Sequence, residues 1–367
     1  SGFGTINNGA SAITTTGALS SGTLSSGDIT IAVDDTPTIN FKKASSADVL
    51  SAINVTTDAG SGGKLEIQTK RNGDSALTAL TLDDGQNATF AGDIRTTTAG
   101  TSNFRAGVNA GNSITSGGNY NTVVGDEAGT AVTVGLQNTL IGFRAGDALT
   151  DADHNVAVGR QALTTDTLGS RSTAIGRSAL EAQNFTSATD AYNTAVGFNA
   201  GALVTTGTIN TLIGGLSGDS LTSGNSNVAV GFSSLTSDTK GDKNVAVGVS
   251  TLAAQNFTNT TDAFNTAVGH EAGKAITAGF LNTLIGGLAG SNLTTGDNNV
   301  AVGVNSLTTE TLGDRNVAVG VAALSTQNFT STTDAYNTAV GYTAGAVITT
   351  GIGNTLMGGL AGDALSD

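Results

Sequence analysis

The residues able to do chemistry are few, and their spacing does not suit catalysis. His154 and His270 are the only histidines, and they occupy non-equivalent places in a repeating pattern. No partner set surrounds either one, so both are expected at the surface. Asp190, Asp262 and Asp334 do recur, but the pattern fixes no second carboxylate beside them. Glycosidic cleavage needs two carboxyl groups converging on one bond, so no catalytic residue is assigned and the chain is not expected to be an enzyme. The absence of Cys removes disulfides, thiolate ligands and a sulfur nucleophile. Asp147, Asp219 and Asp363 follow glycines, yet the calcium-binding nonapeptide of other β-rolls is absent. No metal or other cofactor is therefore expected.

What remains is chemistry of contact. Three near-identical stretches run from Gln183 to Tyr192, from Gln255 to Phe264 and from Gln327 to Tyr336. Each carries an amide and two aromatic rings: Asn184, Phe185 and Tyr192, then Asn256, Phe257 and Phe264, then Asn328, Phe329 and Tyr336. As protruding loops they would form a row of weak contact points that gain from repetition. The competing structural reading has Phe185 and its equivalents folding back over the body of the protein. The three Asn residues also open N-x-T words, which are frequent in a chain this rich in Asn and Thr.

These loops are set in a regular frame. A five-residue word, Asn-Thr/Val-Ala/Leu-Val/Ile-Gly, begins at Asn121, Asn138, Asn155, Asn193, Asn210, Asn227, Asn244, Asn265, Asn282, Asn299, Asn316, Asn337 and Asn354. Ser172 stands where one further Asn would fall, and 103–107 is a degenerate first copy. The step from one word to the next is 17, 17, 17 and then 21, and this 72-residue cycle repeats. Words rich in Val, Ile and Thr, bounded by Gly, Asn and Ser, are strand-and-turn chemistry. A helical repeat needs about 33 residues for its helix pair. The spacing predicts an all-β fold, a parallel β-roll or β-solenoid of about 15 turns over 102–367, roughly 70 Å long at ~4.8 Å per strand.

Alternation within a word separates its second and fourth residues from its third. The fourth residue (Val124, Ile141, Val158, Ile175 and onward to Met357) is expected to form an aliphatic ladder inside the roll. The third (Leu140, Ala157, Ala174, Ala195, Leu212) then lies outside. A strand apolar on both faces should be covered on both, which predicts association with further copies. A second strand is expected after the Gly, as in Arg160-Gln161-Ala162-Leu163, with Leu inward. The residue right after the Gly (Asp126, Phe143, Arg160, His270, Tyr342) varies freely and is expected in solvent. The opening Asn residues are read as structural corners, because Asn tolerates left-handed backbone and its stacked amides can form ladders.

Residues 1–101 lack the word. Strands are expected at 28–33, 38–43, 49–56, 64–70, 77–82 and 88–90, forming a small antiparallel module after an extended start over 1–26. The sequence opens Ser1-Gly2-Phe3-Gly4 and stops partway through a turn at Asp367, so it reads as an excerpt or processed product. A formal charge of −14 with only 12% charged residues disfavours nucleic acid and anionic membrane surfaces as partners. No apolar run reaches the length of about 18 residues at which a stretch reads as a bilayer-spanning helix, so no membrane insertion is expected.

Two resemblances follow. Words such as Asn244-Val245-Ala246-Val247-Gly248 and Asn316-Val317-Ala318-Val319-Gly320 resemble the head repeats of trimeric autotransporter adhesins, which implies a left-handed roll that trimerises side by side. The spacing departs from that family, with a longer turn and a 21-residue turn every fourth time. The stretches Phe3-Gly4-Thr5-Ile6-Asn7-Asn8-Gly9-Ala10, Gly62-Gly63-Lys64-Leu65-Glu66-Ile67-Gln68-Thr69-Lys70 and Leu80-Thr81-Leu82-Asp83-Asp84-Gly85-Gln86-Asn87-Ala88-Thr89-Phe90 are similar to segments of phage tail fibres. The β module precedes the roll and no heptads occur, an order that favours the tail fibre. The resemblances imply a homotrimer on a virion tail, partnered by other tail or fibre proteins and a host surface glycan or protein. The alternative is the head of an adhesin on a bacterial cell surface.

Overall fold

The computed structural model describes residues 100–367 and, within 1–99, only the backbone of five strands. The backbone divides into two compact units, 1–94 and 95–367. In the first, β1 (Thr38–Lys42), β2 (Val49–Asp58), β3 (Ser61–Thr69), β4 (Leu77–Leu82) and β5 (Ala88–Phe90) pair antiparallel in chain order, a meander. β3 starts at Ser61, earlier than expected, because a register shift between Thr57 and Asp58 pairs Asp58 with Ser61. The strand expected at 28–33 and the extended start lie outside the described residues.

The second unit is a parallel β-solenoid. Fifteen three-residue strands, from Phe104–Ala106 to Thr355–Met357, form one sheet in which each turn pairs with the next. Words align with words: Thr194, Ala195 and Val196 sit beside Thr211, Leu212 and Ile213, and these beside Val228, Ala229 and Val230. Among the described residues no helix is long and apolar enough to cross a membrane.

Counting the opening Asn as position 1, the structure reverses the expected facing of the strand. Position 3 points inward and is buried in every turn from Val123 to Ala339, as at Leu140, Ala157, Ala174, Ala195 and Leu212. Position 4 points outward, so that Ile213 is 39% exposed. The reason is the width of the roll. Position 3 faces positions 8, 9 and 12 across a thin interior, so its size must be traded against theirs. In the second turn of each 72-residue cycle position 3 is Leu and position 9 is Gly, as in Leu212 with Gly218. A Cβ on Gly218 would lie 2.7 Å from Leu212 Cδ2. In the third and fourth turns position 3 is Ala and position 9 a buried Leu, as in Ala229 with Leu235 and Ala246 with Leu252. Two aligned columns of Val and Ile could not make this exchange.

No second strand follows the Gly. Positions 6–9 form turns in which position 7 is left-handed in every turn, as at Gln161 (φ 58°) and Asn199 (φ 53°). Position 9 is left-handed too, as Leu163 (φ 53°) or as Gly. Alternating right- and left-handed residues still aim N–H groups along the axis. Gln161 N–H donates to Phe143 O at 2.9 Å and Leu163 N–H to Ala179 O at 3.0 Å. The inward Leu residues and the exposed residue after the Gly stand as expected.

Position 5 must be glycine for two separate reasons. Gly286 has φ 131°, which L side chains rarely adopt, and a Cβ there would lie 2.6 Å from the Gly303 carbonyl. Its neighbour Gly287 has nothing within 4 Å of a built Cβ. Gly286→Ala is expected to destabilise the roll by about 1–3 kcal/mol, while Gly287→Ala leaves it unchanged. Thermal melts of the two variants check this.

Candidate functional site

The opening Asn residues are structural, and the geometry shows how. Each Oδ1 accepts the backbone N–H of the Asn one turn on: Asn138 N to Asn121 Oδ1 at 2.9 Å, Asn155 to Asn138 at 2.9 Å, Asn210 to Asn193 at 2.9 Å and Asn227 to Asn210 at 3.0 Å. Each Nδ2 of a 17-residue turn closes that turn onto position 15, as Asn193 to Gly207 O at 2.7 Å and Asn282 to Gly296 O at 2.9 Å. The ladder continues through Asn244, Asn265, Asn299, Asn316, Asn337 and Asn354. All thirteen are buried except Asn354, which is half-buried.

At the 21-residue turns the closing amide comes from elsewhere. Gln183 Oε1 accepts Asn193 Nδ2 at 2.9 Å, and its Nε2 donates to Ser172 Oγ at 3.1 Å and to Asp166 Oδ2 at 2.5 Å. Asp166 is fully buried, and its Oδ1 accepts Gly169 N–H at 3.0 Å and Phe185 N–H at 3.1 Å. Asp238 with Gln255 repeats this arrangement. Glu310 with Gln327 widens it, accepting backbone N–H groups from Thr311, Leu312, Gly313 and Phe329. Buried carboxylates met by this many donors pin the start of each long turn. Sequence reasoning missed them, although the signal was present: an acid stands at the equivalent place one turn before each of the three Gln residues.

The pin sorts the loop residues into an inner and an outer set. Phe185, Phe257 and Phe329 are 7, 8 and 6% exposed and lie over the glycine of the preceding turn. Asn184, Asn256 and Asn328 join a column of threonines at position 13. Their Oδ1 atoms accept Thr167, Thr239 and Thr311 Oγ1 at 3.1, 3.0 and 2.8 Å. The loop tips, 186–188, 258–260 and 330–332, are exposed. Each loop then returns to register by a short parallel pairing, Thr189–Asp190 beside Gly169–Ser170 and its two equivalents.

The outer set is an aromatic–acid–base cluster repeated three times. Tyr192, Phe264 and Tyr336 are 53, 47 and 57% exposed. Beside each ring sits a cation from the preceding turn, with Arg171 5.9 Å from the Tyr192 centroid, Lys243 5.0 Å from Phe264 and Arg315 5.7 Å from Tyr336. The same cations pair with Asp190 (2.9 Å), Asp262 (2.7 Å) and Asp334. The hydrogen bond and charge of Asp190 hold the Arg171 guanidinium above its ordinary value. Such clusters present a ring face, a hydrogen-bond donor and an acceptor at one period of four turns.

His154 and His270 are both exposed. Asp147 and Asp219 accept the hydroxyls of Thr164 and Thr236 at 2.6 and 2.5 Å, and Asp363 is exposed. Among the described residues no group of three or more His, Asp or Glu could hold a metal ion. Position 16 carries a second polar ladder, in which Phe280 N–H donates to Asp297 Oδ1 and Asp297 N–H to Asp314 Oδ1. Burial raises the Asp297 carboxyl above its ordinary value, with the Phe280 N–H opposing and Asp314 adding to the rise, and Arg315 opposing it. Burial raises Asp242 likewise. No family model, curated protein or solved structure matches this chain.

Two outcomes follow. Asp238→Asn turns an acceptor of the Gln255 amide into a competing donor. It is expected to cost about 3 kcal/mol and to raise amide exchange over 255–264 before the flanking turns, as read by hydrogen–deuterium mass spectrometry. The second concerns pH. A carboxyl raised in the folded state contributes stability that is full below its unfolded value and is lost as pH rises through its folded one. Asp297→Asn keeps the oxygen that accepts Phe280 N–H, so it raises Tm at neutral pH and loses that advantage below about pH 4.

Proposed function

We propose that the chain is a structural and adhesive, non-catalytic component of a trimeric viral tail fibre, extending toward and attaching to a host cell surface. The observation that carries this reading is the outward face of the solenoid sheet. From Val124 to Val340, position 4 supplies partly exposed Val and Ile. On one flank position 6 adds Phe143, Phe198, Phe232, Val304 and Tyr342, all exposed, while the residue before the Asn, Ile209 and Leu281 among them, forms the edge column that also carries Tyr192, Phe264 and Tyr336. A continuous apolar stripe of this kind marks a surface made to be covered. Its occupant is other copies of the chain, since a stripe with the period of the roll is matched in length and register by an identical roll. Threefold packing puts different flanks of neighbouring chains in contact, a heterologous interface that closes.

The long-turn clusters supply the adhesive part of the reading. Three weak contact points per chain, multiplied by copies, give avidity toward a glycan or protein that repeats on a host surface. The words Asn244–Gly248 and Asn316–Gly320 favour a second reading, in which the same trimeric roll is the head of a bacterial surface adhesin.

Sedimentation equilibrium at micromolar concentration is expected to give a trimer, and Ile213→Asp with Val230→Asp to give a folded monomer; a stable wild-type monomer would sink the covered-face argument. Immunogold electron microscopy with antibodies to 255–264 then separates the two settings. Gold on fibres attached to phage tails supports the first, and gold on bacterial envelopes with bare virions transfers the function to the second.

A further inference from the structure

Three glycines of the roll have no reason within their own chain. Gly215, Gly287 and Gly359 stand at position 6 of the second turn in three successive cycles. None of them has left-handed backbone, unlike the position-5 glycine before each. A Cβ on Gly287 would meet nothing within 4 Å, and one on Gly215 would come no nearer than an ordinary 3.5 Å to Phe232. The corresponding residue of the first cycle is the exposed Phe143, so the fold accommodates a ring at this place. The turns on either side are bulkier: Phe198 and Phe232 flank Gly215, and His270 and Val304 flank Gly287. Gly215 and Gly287 are therefore gaps, one turn high, in a row of larger side chains.

The other edge of the same turns carries the reverse. The residue before the Asn is Ile209 in the turn of Gly215 and Leu281 in the turn of Gly287, and these are 58 and 46% exposed. Where position 6 is Phe143, the edge residue is Gln137 in place of an aliphatic one, and the last cycle has Gly353 with Gly359. Knob and gap cannot meet within one chain, because the three-residue strand between them spans ~10 Å. They can meet between copies. Rotation about an axis parallel to the roll keeps every residue at its own height, so the edge of one copy faces position 6 of the next at the same turn.

We propose that copies of the chain pack parallel and in register, with Ile209 and Leu281 of each copy seated in the Gly215 and Gly287 gaps of the next. The inference rests on the covered-face reading above and adds to it the direction, the register and the contact residues. Ile209 enters between Phe198 and Phe232 of the neighbouring copy, and Leu281 between His270 and Val304. The strip from position 6 to the edge column is ~20 Å wide and about 70 Å long. Shared between two neighbours, it offers each roughly 700 Å², close to the ~800 Å² per partner of stable complexes. Such contacts carry a polar rim. The Arg171–Asp190, Lys243–Asp262 and Arg315–Asp334 pairs supply one along the edge, which leaves the ring clusters at the margin of the contact.

The chain has no Cys, which makes disulfide trapping in the full chain a clean test. Leu281→Cys with Gly287→Cys is expected to oxidise into a covalent ring of copies on a non-reducing gel. Two Cα atoms must come within about 7 Å to be bridged, and here only those of neighbouring copies do. Ile209→Cys with Gly287→Cys, offset by four turns or about 19 Å, is expected to stay unlinked. Gly215→Phe with Gly287→Phe copies Phe143 and should keep the circular dichroism spectrum of the roll. It should weaken association at least about tenfold in sedimentation equilibrium, and adding Ile209→Ala with Leu281→Ala should recover at least about threefold of that. If the wild-type chain forms a trimer, three results would overturn the register while leaving the fibre reading intact: no link from the matched pair, equal linking of the offset pair, or unchanged association of the phenylalanine variant. A wild-type monomer would overturn both.

Discussion

Everything in the solenoid depends on keeping each turn in register with the next, and one side-chain amide per turn does most of that. Strands of three residues are too short to hold a register by themselves. The position-1 Asn adds two bonds, one from its N–H to the amide oxygen of the previous turn and one from its own Nδ2 to position 15. The first sets the step along the axis and the second sets the circumference. Because that amide is buried, a slipped turn would leave both donor and acceptor unmet, and such losses are far larger than the net gain of one bond. The left-handed residues at positions 7 and 9 are tolerated for the same reason. They bend the chain back while turning N–H groups along the axis, where the neighbouring turn accepts them.

A fixed circumference makes the longer turn a local problem, and the chain solves it with polar groups in place of apolar ones. Position 12 is Val, Ile or Leu in the first two turns of a cycle, as at Val204 and Leu221, but an acid and then Gln in the last two, as at Asp238 and Gln255. The Gln amide reaches across to the Asn ladder and restores closure from inside the roll. The acid gathers backbone N–H groups that the departing loop would otherwise leave unpaired. Four extra residues thereby leave the core without disturbing the words on either side. Their outward half carries the ring, the base and the acid to the surface at one fixed period.

Much of this was legible in the sequence. The period, the all-β class, the number of turns, the meander ahead of them and the stacking of the Asn amides followed from residue type and spacing, because stacking repeats each local rule about fifteen times. The left-handed corner, by contrast, falls on the residue before the Asn, as at Ile209 (φ 60°). The facing of the strand did not follow. Both faces of the word are apolar, and alternation separates them without saying which is inside. The deciding fact is the trade in size between position 3 and position 9, visible in Leu212 with Gly218 against Ala229 with Leu235, and it involves residues that only the closed turn brings together. The buried Asp166 and its equivalents were hidden for a related reason. An acid in a Thr- and Asp-rich turn reads as solvated until the Gln of the following turn is placed against it.

The reversal of facing also sharpens the argument for assembly. With Ala, Val or Leu inside, the roll closes without help, since its own turns bury position 3 from Val123 to Ala339. The face left open is the outer one, and it is made largely of β-branched residues that pack well on a flat, pleated surface. In a quasi-one-dimensional fold each turn contacts only its neighbours, so length can be added without redesigning a core, and the same period then multiplies the outer stripe and the aromatic clusters. The stripe and the clusters are neighbours in the turn, since Tyr192, Phe264 and Tyr336 stand immediately before the Asn, in the same column as Ile209 and Leu281. One short repeat therefore sets the outward apolar residues and the offered rings along one edge of the sheet, turn after turn.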